Sequence, residues 1–262
     1  MPDLLLKTAW RAARVAGGLI CRNFQNLPAS DIQAKGKNDF VTRIDREAEA
    51  IIKSTIKQNF PDHRILAEES GYSAKASEYL WVIDPLDGTT NFIQGIPHFA
   101  ISMALLRNDT VIFGLIYDPL SRECFHAHAN QGAFLNNTRI AVSLTDKMSS
   151  ALGATGFPFK APQFLEQYAS VFKVMMSQCQ DLRRCGSAAL DLAYTACGRY
   201  DFFWEAHLLP WDFMAGKLLI SEAGGLSGDF AGRELTVQTS SVIAANKTLY
   251  PKILKIISSH FK

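Results

Sequence analysis

The chain has 262 residues, enough for one large domain or two modest ones. With 48% hydrophobic and 20% charged residues and a net charge of only +2, it has an ordinary globular composition, which argues against a nucleic-acid binder driven by charge. No apolar run approaches membrane-spanning length, Leu4-Leu5-Leu6 is too short for a signal-peptide core, and Lys7, Arg11 and Arg14 interrupt the residues after it, so a cytoplasmic protein is expected.

Leu5, Ala9, Ala12, Ala16 and Ile20 recur at helical spacing and predict a first helix to about Phe24. Gly36, Lys37 and Asn38 read as a loop. A second helix is predicted from near Asp45, with Ala48, Ile51, Ile52, Thr55 and Ile56 on its apolar face and Pro61 beyond its end. Arg64 to Ala67 reads as a short strand with Glu68-Glu69 at its end. The apolar run Trp81-Val82-Ile83 then reads as a buried strand delivering Asp84, and Pro85 is expected to stop it. Strands are predicted from Phe99 to Leu105, Val111 to Tyr117, Cys124 to Ala129 and Ala133 to Leu135, with Asn136-Asn137 a turn. From about Ser149 the pattern becomes strand–helix alternation: strands at Ala151 to Thr155, Leu182-Arg183, Asp201 to Trp204 and Val242 to Ala245. Helices are predicted from Pro162 to Cys179, from Ser187, from Trp211 to the Gly224-Gly225 stop, and after Asn246 as a cap. The whole reads as α+β, with an N-terminal half at 1–147 and an α/β C-terminal half at 148–262.

Chemistry concentrates in Asp84-Pro85-Leu86-Asp87-Gly88-Thr89-Thr90-Asn91-Phe92. Asp84 and Asp87, three apart, are expected to converge across a helical turn, and carboxylates that close repel unless a cation lies between them. Gly88 permits close backbone approach and Thr89-Thr90 have helix-opening chemistry, which makes an anion cradle beside the carboxylates. Hard oxygens next to a phosphate site suit Mg²⁺. A plain surface turn would use Asp, Pro and Gly as well, but the preceding buried-type strand and the Gly88-Thr89-Thr90-Asn91-Phe92 extension favour the functional reading. Glu68 supplies further oxygen nearby, although a Glu-Glu pair is commonly just solvated. Trp211-Asp212-Phe213-Met214-Ala215-Gly216 places a carboxylate in the first turn of a helix, where it is either a cap or a ligand. Five scattered cysteines (Cys21, Cys124, Cys179, Cys185, Cys197) lack C-x-x-C spacing and read as reduced structural thiols, and His98 is read as a lone structural histidine.

The first segment resembles the D-P-[IL]-D-G-T-x-N-F signature of the inositol monophosphatase family, Mg²⁺-dependent and lithium-sensitive phosphatases, and Trp211 to Gly216 resembles that family's W-D-x-x-[AG]-[GA] motif. The resemblance runs end to end. It implies a layered αβαβα sandwich of the inositol monophosphatase/fructose-1,6-bisphosphatase type. It implies that Glu68, Asp84 and the Leu86 carbonyl hold one Mg²⁺, that Asp84, Asp87 and Asp212 hold a second, and that a lysine loop at Lys35 supports a weaker third. It pairs Asp45 with Thr89 to activate water, with Glu68 in the catalytic set. Asp87, Gly88, Thr89 and Asp212 would meet the substrate, and Gly186, Ser187, Ala188 and Glu205 would select an inositol ring. The implied substrate is myo-inositol 1-phosphate, with fructose-1,6-bisphosphate, histidinol phosphate and 3′-phosphoadenosine nucleotides as alternatives. A homodimer is implied too. Bacterial members are associated with RNA polymerase antitermination complexes, and Arg183-Arg184 could serve such an interface, although adjacent arginines are usually solvated charge.

Overall fold

The computed structural model describes residues 2–36, 39–72, 76–159 and 161–261. Helix α1 (Pro2–Asn23) buries Leu5, Ala9, Ala12, Ala13, Ala16 and Ile20 on one face. Strands β1 (Ile32–Gly36) and β2 (Asp39–Thr42) pair antiparallel where only a loop was expected, so Gly36 and the backbone of Lys35 belong to β1. Lys37 and Asn38 lie outside the described residues. Helix α2 (Arg43–Asn59) starts two residues before Asp45, because Thr42 is its N-cap. Thr42 Oγ1 accepts from Ile44 N at 3.1 Å, and Asp45 Oδ2 accepts from Thr42 N at 2.8 Å, a reciprocal capping box. Asp45 is therefore the third helical residue of that box and not the cap itself.

The next strands are β3 (Arg64–Ala67), β4 (Gly71–Tyr72) and β5 (Tyr79–Asp87), followed by the short helix α3 (Thr89–Ile93). Then come β6 (Ala100–Arg107), β7 (Thr110–Asp118), β8 (Glu123–His128), β9 (Gly132–Leu135) and β10 (Thr138–Ile140). They form one sheet in the order β10-β9-β8-β7-β6-β5-β3-β4, antiparallel except where β3 lies beside β5. Both of its faces are covered, which is why its central strands read as unbroken apolar runs instead of alternating ones. Trp81, Ile83, Ile101, Met103, Leu105 and Leu115 face α1 and α2, whereas Leu80, Val82, Ala104, Leu106 and Ile116 on the same strands face the other way.

The second half contributes β11 (Leu152–Thr155), α4 (Leu165–Gln178), β12 (Asp181–Arg183), α5 (Ala188–Ala196), β13 (Phe202–Ala206), α6 (Pro210–Glu222), β14 (Leu226–Gly228), β15 (Ser241–Ala245) and α7 (Tyr250–His260). Its sheet, β12-β11-β13-β15-β14, is mixed and not purely α/β, since β15 runs antiparallel to both neighbours. Phe203, Val242 and Ala244 face α5 and α6, and Phe202, Trp204, Ile243 and Ala245 face α4 and α7. The layers are thus α1/α2, the large sheet, α5/α6, the small sheet and α4/α7, as the αβαβα expectation had it. Two local readings need correction. The turn Pro162–Phe164 is 3₁₀, so α4 begins at Leu165. Asn246 Oδ1 takes the amides of Thr248 and Leu249 one turn ahead of α7, whose N-cap is Leu249.

Helix α6 is buried nearly all round, as a helix between two sheets must be. It crosses β7 at Gly114, where a Cβ would lie 2.8 Å from the Ala215 carbonyl oxygen and 3.2 Å from Ala215 Cα. Two backbones cannot yield there as a flexible side chain would. Gly114→Ala is therefore expected to destabilise the protein by about 1–3 kcal/mol despite alanine's better strand propensity. Urea unfolding measures this, and an unchanged midpoint would mean that α6 is not held at this crossing.

Candidate metal centre and active site

Strand β5 does not stop at Pro85. Its register against β6 passes from Asp84↔Ser102 to Asp87↔Ala100, three steps along β5 for two along β6. Pro85, with no N–H to offer the ladder, sits in this β-bulge. Asp84 and Asp87 thus converge through a bulged strand and not across the helical turn expected from their spacing. Asp84 Oδ1 accepts from Leu86 N at 2.9 Å and closes the bend. Gly88 is next in the chain at φ 94°, the left-handed region, and a Cβ there would lie 3.0 Å from the His98 carbonyl oxygen, so glycine is required on two counts. Gly88, not a threonine, is the N-cap of α3.

Asp87 reaches across to the second half. Its Oδ2 accepts from Ser187 Oγ at 2.6 Å and from Ala189 N at 2.8 Å, at the start of α5. Ser187 caps α5 as well, accepting from Leu190 N at 3.3 Å. The helix start expected to meet ring hydroxyls is thus partly taken by Asp87. Asp212, the third residue of α6, accepts from the N-cap amide of Leu209 on Oδ2 at 2.7 Å, so like Asp45 it ties down a helix start without being the N-cap itself. The α6 start is fixed to the large sheet by Ser102 Oγ, which donates to the Trp211 carbonyl at 2.8 Å. Ser102 is also the β6 partner of Asp84.

These links gather carboxylate oxygens of Asp84, Asp87 and Asp212 within 4.8 Å of one another. Burial pushes the Asp84 carboxyl well above the usual range, and the charges of Glu68, Asp87 and Asp212 push it further. Asp212 is raised by burial and then by Asp87. Asp87 rises only to about 6, because Ser187 and the α5 amides oppose its burial. A set of buried, mutually repelling, all-oxygen donors has the chemistry of a hard divalent cation site.

Thr89 donates its hydroxyl toward Asp45 Oδ1 at 2.9 Å, with the Leu86 carbonyl as a second acceptor at 3.0 Å. Asp45 is fully buried and its carboxyl is raised by that burial, although the bonds from Thr42 and Thr89 pull the other way.

A cavity of about 480 Å³ opens over these groups. Glu68, Asp84, Leu86, Asp87, Gly88, Thr89, Gly186, Ala188, Glu205 and Asp212 all line it. Asp45 stands behind Thr89, and Ser187 behind Asp87. The side chain of Lys35 lies outside the described residues. Glu205, on β13, is raised to about 8 by burial and by the charge of Asp87, with Arg184 opposing. Sequence reasoning missed why Glu205 fits: a Cβ at Gly156 would fall 1.9 Å from its Oε1. It also treated Arg183 and Arg184 alike. Arg183 pairs with Asp181 on the surface, whereas Arg184 lines the cavity and its guanidinium lies 5.7 Å and 5.4 Å from the ring centres of Phe157 and Phe159. The only sequence signal was Gly156-Phe157-Pro158-Phe159, a glycine followed by aromatics at a strand end.

Among the described residues no helix is long and apolar enough to cross a membrane, and all five cysteines are free thiols. The model of the inositol monophosphatase family matches residues 1–262. The Nus factor SuhB of Escherichia coli strain K12 is 44% identical over 259 residues, 98% of this chain and 96% of that protein. The Pseudomonas aeruginosa Nus factor SuhB is 42% identical over 261 residues, again 98% and 96% of the two chains. Among solved structures, the extragenic suppressor protein SuhB of Bartonella henselae superposes with a TM-score of 0.92 at 36% identity, covering 97% of this chain and 98% of that one. The Thermotoga maritima IMPase does so at 0.90 and 33% identity, covering 100% and 98%. With the Asp84–Asp87 bulge, the Asp212 helix start and the five layers all in place, the chain belongs to the inositol monophosphatase family.

Proposed function

We propose that the protein is a Mg²⁺-dependent phosphomonoesterase that hydrolyses myo-inositol 1-phosphate and related polyol phosphates. The observation that carries this reading is the gathering of Asp84, Asp87 and Asp212 within 4.8 Å, beside the Thr89–Asp45 pair and under one cavity. Glu68, Asp84, Asp87, Asp212 and the Leu86 carbonyl would hold two Mg²⁺ ions, with a weaker third near Lys35. Bound there, Mg²⁺ supplies Lewis acidity and offsets the charge of the phosphate.

The chain's own groups do the rest. Thr42 N holds Asp45 Oδ2, which leaves Oδ1 turned to Thr89. As water attacks phosphorus, Thr89 Oγ1 accepts a water proton and passes its own to Asp45 Oδ1, whose buried carboxyl is a better base than an exposed aspartate. The ester P–O bond breaks, the leaving alkoxide takes a proton from water in the cavity, and the proton held at Asp45 neutralises the hydroxide left behind. Gly88 lets the backbone approach the phosphate, while Glu205, Gly186 and Ala188 face the ring. Inositol monophosphate is the ligand named for a solved relative, the IMPase-II of Staphylococcus aureus, 25% identical with a TM-score of 0.81 over 98% of this chain and 95% of that one.

A second reading rests on the Nus factors, 44% identical over 98% of this chain. In it, the protein assists RNA polymerase antitermination and catalysis is secondary. Asp87→Asn and Asp212→Asn separate the two readings. Asparagine keeps an oxygen to accept from Ala189 N or Leu209 N, so the caps survive while a ligand charge is lost. Turnover should fall by at least about a hundredfold with little change in melting temperature. Near-normal turnover at saturating Mg²⁺ would disprove the ligand set. A turnover-dead Asp87→Asn protein that still sustains its role in the cell would favour the second reading.

Activity should vanish in excess EDTA and return with Mg²⁺. The electrostatics add a pH signature. Asp87 and Glu205 titrate in the folded chain at about 6 and about 8, above their ordinary values, so the cation-free fold keeps protons that the unfolded chain has released. Its stability therefore falls as pH rises from about 4 through about 8. The rise in melting temperature from EDTA to Mg²⁺ should accordingly be larger near pH 8 than near pH 5. A pH-independent increment would show that these carboxyls do not feel the cation.

Glu205→Leu tests substrate selection. It removes a buried polar group and should raise stability, yet strip a hydroxyl partner from the ring. A loss of roughly 1–3 kcal/mol, about tenfold to a hundredfold in kcat/KM, is expected for inositol 1-phosphate. Glycerol phosphate should suffer less. Equal loss on both substrates would place Glu205 among the catalytic groups instead.

A further inference from the structure

Away from the cavity, His98, Cys185 and Asp191 converge from three places. His98 lies in the connection from α3 to β6, Cys185 in the link from β12 to α5, and Asp191 one turn into α5. A ring nitrogen, the Sγ and a carboxylate oxygen lie within 4.8 Å of one another. The backbones that carry them are held in place: Asn91 Nδ2 donates to the His98 carbonyl at 2.7 Å and to the Cys185 carbonyl at 2.8 Å. None of the three residues lines the cavity.

Two side-chain atoms of these residues lack partners. His98 Nε2 and Asp191 Oδ1 are both buried without a hydrogen bond, and Asp191 is only 1% exposed. A buried carboxylate with nothing to offset it is among the costliest groups a core can hold. The charges of Glu205 and Asp87 act on it unfavourably as well, and only Arg184 opposes them. The cysteine thiol has a weak neighbour, the Tyr200 hydroxyl at 3.5 Å.

We propose that His98, Cys185 and Asp191 form a second cation site, for a borderline divalent metal of the Zn²⁺ or Co²⁺ kind. One nitrogen, one sulfur and one oxygen suit such an ion and not Mg²⁺, which takes oxygens. Donors of a tetrahedral zinc site stand about 3.3–3.8 Å apart at ordinary bond lengths, so side-chain movements of about 1 Å close this cluster, with water as fourth ligand. Binding needs neutral His98 and ionised Asp191, so the thiol and the Asp191 carboxyl each release a proton to solvent. The ion would pin two segments that the active site depends on. The His98 carbonyl packs on Gly88, and Cys185 precedes Gly186 at the start of α5.

The test is a Co²⁺ titration of the purified full-length protein in excess Mg²⁺, which saturates the all-oxygen site. A near-ultraviolet sulfur-to-cobalt charge-transfer band should appear and saturate at one equivalent, a band that oxygen ligands cannot produce. Cys185→Ser should abolish it, and His98→Gln should weaken Co²⁺ binding at least tenfold. Zn²⁺ should raise the melting temperature of the wild-type protein and not that of Cys185→Ser. The proposal is overturned if no band forms, if the band survives Cys185→Ser and so belongs to another thiol, or if His98→Gln leaves affinity unchanged. Should Cys185→Ser fail to fold, the His98→Gln titration alone decides. None of these readouts depends on phosphatase turnover, so the site stands or falls separately from the proposed activity.

Discussion

The bond from Asp87 Oδ2 to the start of α5 is what the remainder of the site depends on. It joins a strand of the large sheet to a helix of the central layer, over a hundred residues along the chain. It also stabilises an ionised carboxylate in the place where ionisation is hardest, beside Asp84 and Asp212. A helix N-terminus and a hydroxyl proton favour the anion, which is why Asp87 rises only to about 6 while its two neighbours are pushed well up. The fold therefore assembles a charge cluster against its own electrostatics. It can do so because the layers around the cluster are rigid. The bulge fixes Asp84 and Asp87, Ser102 fixes the start of α6, and Gly114 sets how closely α6 lies on the sheet. Stability comes from the apolar faces on both sides of the large sheet, and repulsion is concentrated where a cation can relieve it.

How much of this was legible in the sequence depended on distance along the chain. The carboxylate pair was readable because Asp84 and Asp87 are three apart and a proline and a glycine flank them. The mechanism of their convergence was misread, since i,i+3 spacing serves a helical turn and a bulged strand equally well, and only the pairing with β6 decides. Asp45 was visible as a helix-start residue, yet its capping partner Thr42 was overlooked and the helix placed two residues late. The pattern of apolar strands and helices gave an α+β chain with two halves, whereas the five-layer order came from the family resemblance alone. The β1–β2 hairpin, β4 and β14 were not legible, because strands of two to five residues with polar or glycine positions leave no periodic trace.

Relations across the fold were silent. Nothing near Gly156 announces that Glu205 will fill the space where its Cβ would be. Nothing distinguishes Arg184 from Arg183 until Phe157 and Phe159 arrive beneath it. His98 and Cys185 were each reasonably read as structural and Asp191 drew no reading at all, as no zinc spacing links them. Their convergence is a product of Asn91 tying two distant carbonyls together. Local chemistry recognises ligands that share a turn, and ligands that share only a fold need the fold.

The same electrostatics bear on which phosphate ester the cavity suits. Glu205, raised to about 8, keeps its proton at neutral pH, so it can both donate to and accept from neighbouring hydroxyls, as a polyol ring offers. A second phosphate on the substrate would meet a different field. Among the described residues that line the cavity, Arg184 is the one permanent cation, and it is exposed and stacked on two phenylalanines. Asp87, ionised at neutral pH, would repel a second dianion close to the ring, and Mg²⁺ at the carboxylates would be engaged by the first. On the proposed reading a bisphosphate would gain one screened contact and face that repulsion, whereas a monophosphate with hydroxyls would suit both the carboxylate cluster and Glu205. If the proposed hydrolytic activity holds, this balance would favour polyol monophosphates over fructose-1,6-bisphosphate.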